Sequence, residues 1–166
     1  MAESENYKKG TEVRAKLMAG KNVIPADQAV AKVKALAAER IYPDTIISAR
    51  TDARTVHGLD EAMRRAHRFL DAGADWIFIE ALETVEELAI VGKEFADVPL
   101  LANPLEGGRS PMLRPDDYAE LGYDIIPYGL SLILHVTATL KAVLADMQSR
   151  ELKLYNKGAS FEEYKA

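Results

Sequence analysis

Four short apolar runs end in residues that can bind or transform a small acid. "IISAR" delivers Arg50, "WIFIE" delivers Glu80, "PLLAN" delivers Asn103 and "DIIPY" delivers Tyr128. A guanidinium is a planar fork that grips a carboxylate through two hydrogen bonds. A carboxylate at the end of a buried run suits a place beside a metal or a part in proton transfer. An amide donates to a substrate oxygen. Each residue also has a plainer explanation. Arg50 makes a structural ion pair with Asp52 or Glu80, Glu80 serves only as the partner of Arg50, and Asn103 forms an Asx turn into the loop that begins at Pro104.

Weaker candidates surround these. Asp52 orients Arg50 or its loop. The glycine-rich "PLEGGRSP" fits no phosphate-loop pattern and is expected to be a mobile rim loop, with Glu106 and Arg109 as contacts. His57 shares the loop of Arg50 and has the right chemistry to titrate near neutrality, but a lone loop histidine is usually just solvated. His67 falls off the apolar stripe of its helix and is expected to be exposed. His135 lies in the last long helix. No two histidines have metal-ligand spacing.

The elements that must position these residues follow from periodicity. Residues 7–19 and 27–38 carry apolar residues at helical spacing. Pro43 stops helix before the strand expected at Thr45–Ala49. Leu59, Ala62, Met63, Ala66, Phe69 and Leu70 make one helical face closed by Gly73. A strand, "ADWIFIEA", precedes a helix carrying Val85, Leu88, Ala89, Gly92 and Phe95. "VPLLAN" predicts a strand, "RPDDYAELG" a short helix opened by Pro115 and ended by Gly122, and "DIIPY" a strand. A long amphipathic helix spans about 130–154, and Ser160 with Glu163 predicts a capping box for a terminal helix. Strand and helix alternate four times, which predicts parallel strands joined by crossovers, apolar because both faces are covered. In such folds the ligand sits at the carboxyl ends of the strands. Arg50, Glu80, Asn103 and Tyr128 would then share one rim.

Composition narrows the classes. The 166 residues fit one domain with a real core, and the net charge of −5 argues against nucleic acid or an anionic membrane as partner. There is no cysteine, hence no disulfide framework, thiolate nucleophile or cysteine metal site; a reducing, cytoplasmic setting is expected. The first ten residues lack the apolar core of a signal peptide, and no segment has the apolar length of a membrane span.

"DTIISARTDAR…GLDEAMRRAHRFLDAGADWIFIEAL" and "LLANPLEGGRSPMLRPDDYAELGYDIIPYGLS" resemble the isocitrate lyase and phosphoenolpyruvate mutase superfamily, in particular its methylisocitrate lyase, dimethylmalate lyase and oxaloacetate decarboxylase-like branch. "GKNVIPADQAVAKVKALAAER" is similar to the stretch before that family's fifth strand, and residues 1–20 to its opening helix. The resemblance implies a (β/α)₈ barrel, which typically takes ~250 residues. By that comparison this chain is a four-stranded parallel half-barrel over 21–155, with an extra N-terminal helix (1–20), a long C-terminal helix and a tail (156–166), in one domain. The resemblance further implies that the first four strands are absent, together with the paired aspartates that hold magnesium and the gating loop with its Lys-Lys-Cys-Gly-His signature.

The residue roles that the family implies are these. Arg50 binds a substrate carboxylate, Glu80 lies near magnesium and its waters, Asn103 donates to a substrate oxygen, and Tyr128, Gly129 and Leu130 line the site, partly with backbone. The implied function is carbon–carbon lyase or decarboxylase chemistry on a small α-keto or α-hydroxy dicarboxylate, with little activity for the chain alone. Two alternatives stay open: a lyase completed by oligomerisation, and a non-catalytic half-barrel assembly module. Unpaired strand edges and an apolar inner face favour a homo-oligomer.

Overall fold

Helices form here where alanine and leucine spacing coincides with a start or stop signal. In the computed structural model, which describes residues 24–165, α1 (Ala26–Ala38) begins directly after Pro25, and α3 (Leu59–Asp71) opens after Gly58 and ends at the Gly73 turn. The helix α4 (Val85–Glu94) starts on Thr84, whose hydroxyl accepts from the Glu87 N–H at 3.1 Å. Pro115 opens α5 (Pro115–Glu120), where Asp117 accepts from the Arg114 N–H at 3.1 Å. The expected helix over 7–19 lies outside the described residues. A further helix, α2 (Ala53–His57), follows β1 (Ser48–Thr51) at once. His57 therefore sits in the last turn of a helix and not in a loop.

The described residues fall into two compact units divided after Pro127. In the first, β1 and β2 (Trp76–Ile79) pair in parallel with Ser48 opposite Trp76 and Thr51 opposite Ile79. Two single parallel bridges continue the order, Ile77 to Leu100 and Leu101 to Ile125. The sequential parallel arrangement is thus present, but the third and fourth segments are not the regular strands expected. Pro99, Pro104 and Pro127 flank them and have no N–H to extend a ladder. The first strand also begins three residues later than expected, at Ser48.

Two strand junctions are stitched by the same device. Gly73 and Gly122 turn the chain at φ 100° and 88°, conformations that suit glycine. Two residues later an aspartate folds back on the preceding strand. The Ile47 N–H donates to Asp75 Oδ2 at 2.7 Å, and the Leu100 N–H donates to Asp124 Oδ2 at 2.9 Å. The backbone N–H groups of Asp75 and Asp124 donate in turn to the Ile47 and Leu100 carbonyls at 2.9 and 3.0 Å. Arg40 adds a two-pronged grip on Asp75.

The core sits on one side of this sheet. Ala49, Thr51, Ile77, Ile79, Leu100 and Ala102 are buried, with Ala62, Ala66, Phe69, Leu88, Val91 and Tyr118 also in the core. Small alanines at 62 and 66 let α3 lie close to the strands. The alternate residues, Ser48, Arg50, Trp76, Phe78, Glu80, Leu101 and Asn103, are partly or fully exposed. The expectation of strands covered on both faces is therefore corrected: among the described residues of this unit, one face is buried and the other is only partly covered.

The second unit holds α6 (Ser131–Ser149) and α7 (Phe161–Lys165). Arg150 stops α6 in the left-handed conformation, earlier than expected, and none of the residues of α6 is buried. The Ser160–Glu163 capping box is present, with N–H to side-chain distances of 2.7 and 3.2 Å.

Candidate functional site: a charged rim at the strand ends

Arg50 points from β1 onto the open face because its neighbours Ala49 and Thr51 take the buried side. Its guanidinium carbon lies 5.0 Å from the centre of the Phe78 ring, the residue opposite it in register. An aromatic face beneath a guanidinium attracts it and fixes its plane. Asp52 takes one edge of the fork, with Nε donating to Oδ2 at 3.1 Å and Nη2 donating to Oδ1 at 2.8 Å. The hydrogen bond to Asp52 holds Arg50 more firmly in its charged form than usual, with burial opposing it and the charges of Glu80 and Asp52 adding to it.

Glu80 follows β2 directly, and its N–H extends the ladder to the Thr51 carbonyl at 3.0 Å. Its Oε2 lies 3.3 Å from Arg50 Nη2. Yet that oxygen is buried and has no hydrogen-bond donor. The charges are close, but the N–H is not aimed at the lone pair, so an acceptor is left over. Ala81, the next residue, has φ 60°, a left-handed turn that costs an alanine roughly 1 kcal/mol. The chain turns sharply just where the carboxylate is placed.

Asn103 is half-buried on the same open face, and shares with Phe78, Ser110 and Tyr118 the wall of a cavity of about 10 Å³, room for little more than a water. Arg50 thus contacts both Phe78 and Glu80, while Asn103 shares only a cavity wall with Phe78. Tyr128, Gly129 and Leu130 open the second unit, with Leu130 as N-cap of α6.

A second charged cluster flanks the rim and was not foreseen. Arg54 on α2 donates to both Glu87 oxygens and contacts Glu83 at 2.6 Å, and Arg109 reaches Glu83 at 3.3 Å. Arg109 of the glycine-rich loop therefore contacts a carboxylate of the β2–α4 connection. Only the arginine-rich spacing of "RTDAR" hinted at a second guanidinium. His67 is exposed as expected, with Nε2 2.8 Å from Glu94 Oε1 and its ring against Phe95.

Whether a divalent cation fits is a question of donors. Hard cations need several oxygens. Among the described residues no group of three or more His, Cys, Asp or Glu side chains could hold a metal. Glu80 offers its spare oxygen with a guanidinium 3.3 Å away, and Asp52 is bound to the same guanidinium. The described residues do not by themselves fit a magnesium ion.

The unit is α/β with a small parallel sheet and carries guanidinium, carboxylate and amide at its strand ends, and its structural neighbours are TIM-barrel-like lyases. The sequence profile of the phosphoenolpyruvate phosphomutase family matches residues 8–148, and the chain belongs to that family. It is 40% identical over 123 residues to 2,3-dimethylmalate lyase of Eubacterium barkeri, covering 74% of this chain and 42% of that protein. It is 34% identical over 163 residues to 2-methylisocitrate lyase of Bacillus subtilis, covering 89% and 52%. A crystal structure of 2,3-dimethylmalate lyase superposes with TM-score 0.76 at 26% identity, covering 84% of this chain and 50% of the other. Phosphonopyruvate hydrolase complexed with oxalate and Mg²⁺ superposes at 0.72 and 25%, covering 85% and 51%. The chain spans about half the length of the curated relatives it matches.

Proposed function

We propose that the open rim binds a small dicarboxylate or keto acid in the manner of a carbon–carbon lyase site, and that this chain alone cleaves such a substrate poorly or not at all. The observation that carries the reading is Arg50: a guanidinium on the open face, stacked over Phe78, with its side chain 49% exposed. In this reading Arg50 grips a substrate carboxylate. The Glu80 carboxylate, partly exposed beside Arg50, accepts a hydrogen bond or proton from a substrate hydroxyl, and Asn103 donates to a further oxygen. Breaking a carbon–carbon bond beside a keto group leaves an enolate, whose stabilisation is the main electrostatic task. A divalent cation would supply much of that charge, and the donors for it would have to come from outside the described residues.

Titration calorimetry with oxalate tests the reading. Wild type binds, and Arg50→Ala weakens binding about tenfold or more, the worth of two charge-assisted hydrogen bonds. Equal binding by Arg50→Ala ends it. Assays with 2,3-dimethylmalate and 2-methylisocitrate in the presence of Mg²⁺ are expected to give turnover near the uncatalysed rate.

A second reading is favoured by α6. Leu132, Val136, Leu140, Leu144 and Met147 recur at helical spacing, all of them exposed. This supports self-association through that stripe, and with it a site completed by a second copy.

A further inference from the structure

The carboxylate that occupies the Arg50 fork belongs to the chain itself. Asp52 stands two residues beyond Arg50 and meets it edge to edge, with both oxygens engaged at 3.1 and 2.8 Å. This is the two-pronged geometry in which arginine recognises any carboxylate. The end-on edge formed by Nη1 and Nη2 is a poor substitute for an incoming anion, because Glu80 Oε2 lies 3.3 Å from Nη2, the nitrogen that both edges share, and would repel a second negative group placed there. Phe78 covers one face of the plane. The edge held by Asp52 is therefore the edge a ligand carboxylate needs. Both side chains are about half exposed, at 49% and 52%, so the pair is reachable from solvent and of modest strength.

We propose that Asp52 is a built-in competitor of the rim: it fills the Arg50 fork in the unliganded chain and must swing away before a dicarboxylate anion takes the same N–H donors. The inference rests on the reading of the rim as a carboxylate site. The apparent affinity of the chain is then its intrinsic affinity multiplied by the fraction of molecules in which Asp52 has left the fork. Asp52 thereby sets a threshold of affinity that only an anion offering a good bidentate match, or a second anchoring point on the rim, exceeds.

Oxalate titrations of the full chain distinguish the possibilities, with circular dichroism confirming the fold of each variant. Asp52→Asn and Asp52→Ala are expected to bind oxalate about three- to fivefold more tightly than wild type, the worth of an exposed ion pair removed from competition. Asp60→Asn removes one negative charge without touching Arg50 and is expected to change binding less than about twofold. If wild type is silent but the Asp52 variants bind, competition is supported in its strongest form. Equal or weaker binding by both Asp52 variants, with binding lost in Arg50→Ala, overturns the competitor role and leaves the carboxylate site standing; Asp52 then orients Arg50. A gain in Asp60→Asn equal to that of Asp52→Asn also overturns it, as a general charge effect. Binding that survives Arg50→Ala unchanged, or oxalate binding by none of the variants, removes the carboxylate reading and the competitor with it.

Discussion

Glu61 and Asp75 are carboxylates that the fold holds ionised, and both tie stability to pH. Hydrogen bonds from Arg64, then Arg65, pull the Glu61 pKa from 4.5 down to about 2. Asp75 is lowered first by the Ile47 N–H and, against some burial, by Arg40. A carboxylate whose pKa is depressed by folding contributes stability above its unfolded value and loses it as pH falls toward the folded one. Urea midpoints are therefore expected to fall as pH drops below about 4.5, and less steeply in Glu61→Gln. Ala81 offers a second test. Relief of its left-handed backbone in Ala81→Gly is expected to raise stability by about 0.5–1 kcal/mol in denaturant titrations. An unchanged midpoint in the glycine variant would show that the turn carries no strain. At this scale the sequence was informative where a charge ends an apolar run, as at Arg50 and Glu80. It was silent on Ala81, because alanine carries no turn signal, and it left open whether Arg50 pairs with Asp52 or Glu80. The structure has it contacting both.

Helix periodicity made α1, α3, α4 and α5 legible, each to within a residue or two. The missed element, α2, has five residues with threonine and valine among them, too short for a period and poor in propensity. The third and fourth strands were overcalled because apolar runs predict strands whether or not flanking prolines leave a ladder to form. Gly92 was legible only as a member of a helical face. Its actual role is contact: a Cβ there would lie 1.7 Å from the Leu121 carbonyl oxygen. Gly92→Ala is expected to cost about 2 kcal/mol or more by forcing α4 off the turn after α5. Denaturation of the variant checks this, and an unchanged midpoint would show that the two backbones separate freely.

Large apolar side chains are exposed among the described residues of each unit: Ile41 and Tyr42, 84% and 73% exposed, in the first, and Leu132, 81% exposed, in the second. Light scattering at low micromolar concentration is expected to report a homo-oligomer, and the double change Leu140→Glu with Leu144→Glu to shift it toward monomer while far-ultraviolet circular dichroism stays near wild type. A wild-type monomer at all concentrations would end the self-association reading. Assembly was expected from unpaired edges and an apolar inner face, and the exposed apolar residues of α6 are where the test is placed.

The stitches at Asp75 and Asp124 have a consequence for how such a chain changes over time. Both lie at the amino ends of their segments, and both act through backbone groups of the neighbour, Ile47 and Leu100. Cohesion there does not depend on which side chains stand at the opposite, carboxyl ends. Substitutions among Arg50, Asp52, Glu80 and Asn103 can then accumulate without loosening the strand pairs that carry them. Chemistry is free to drift on a foundation that stays put, and a relative that has lost its reaction can retain the architecture from which to regain one.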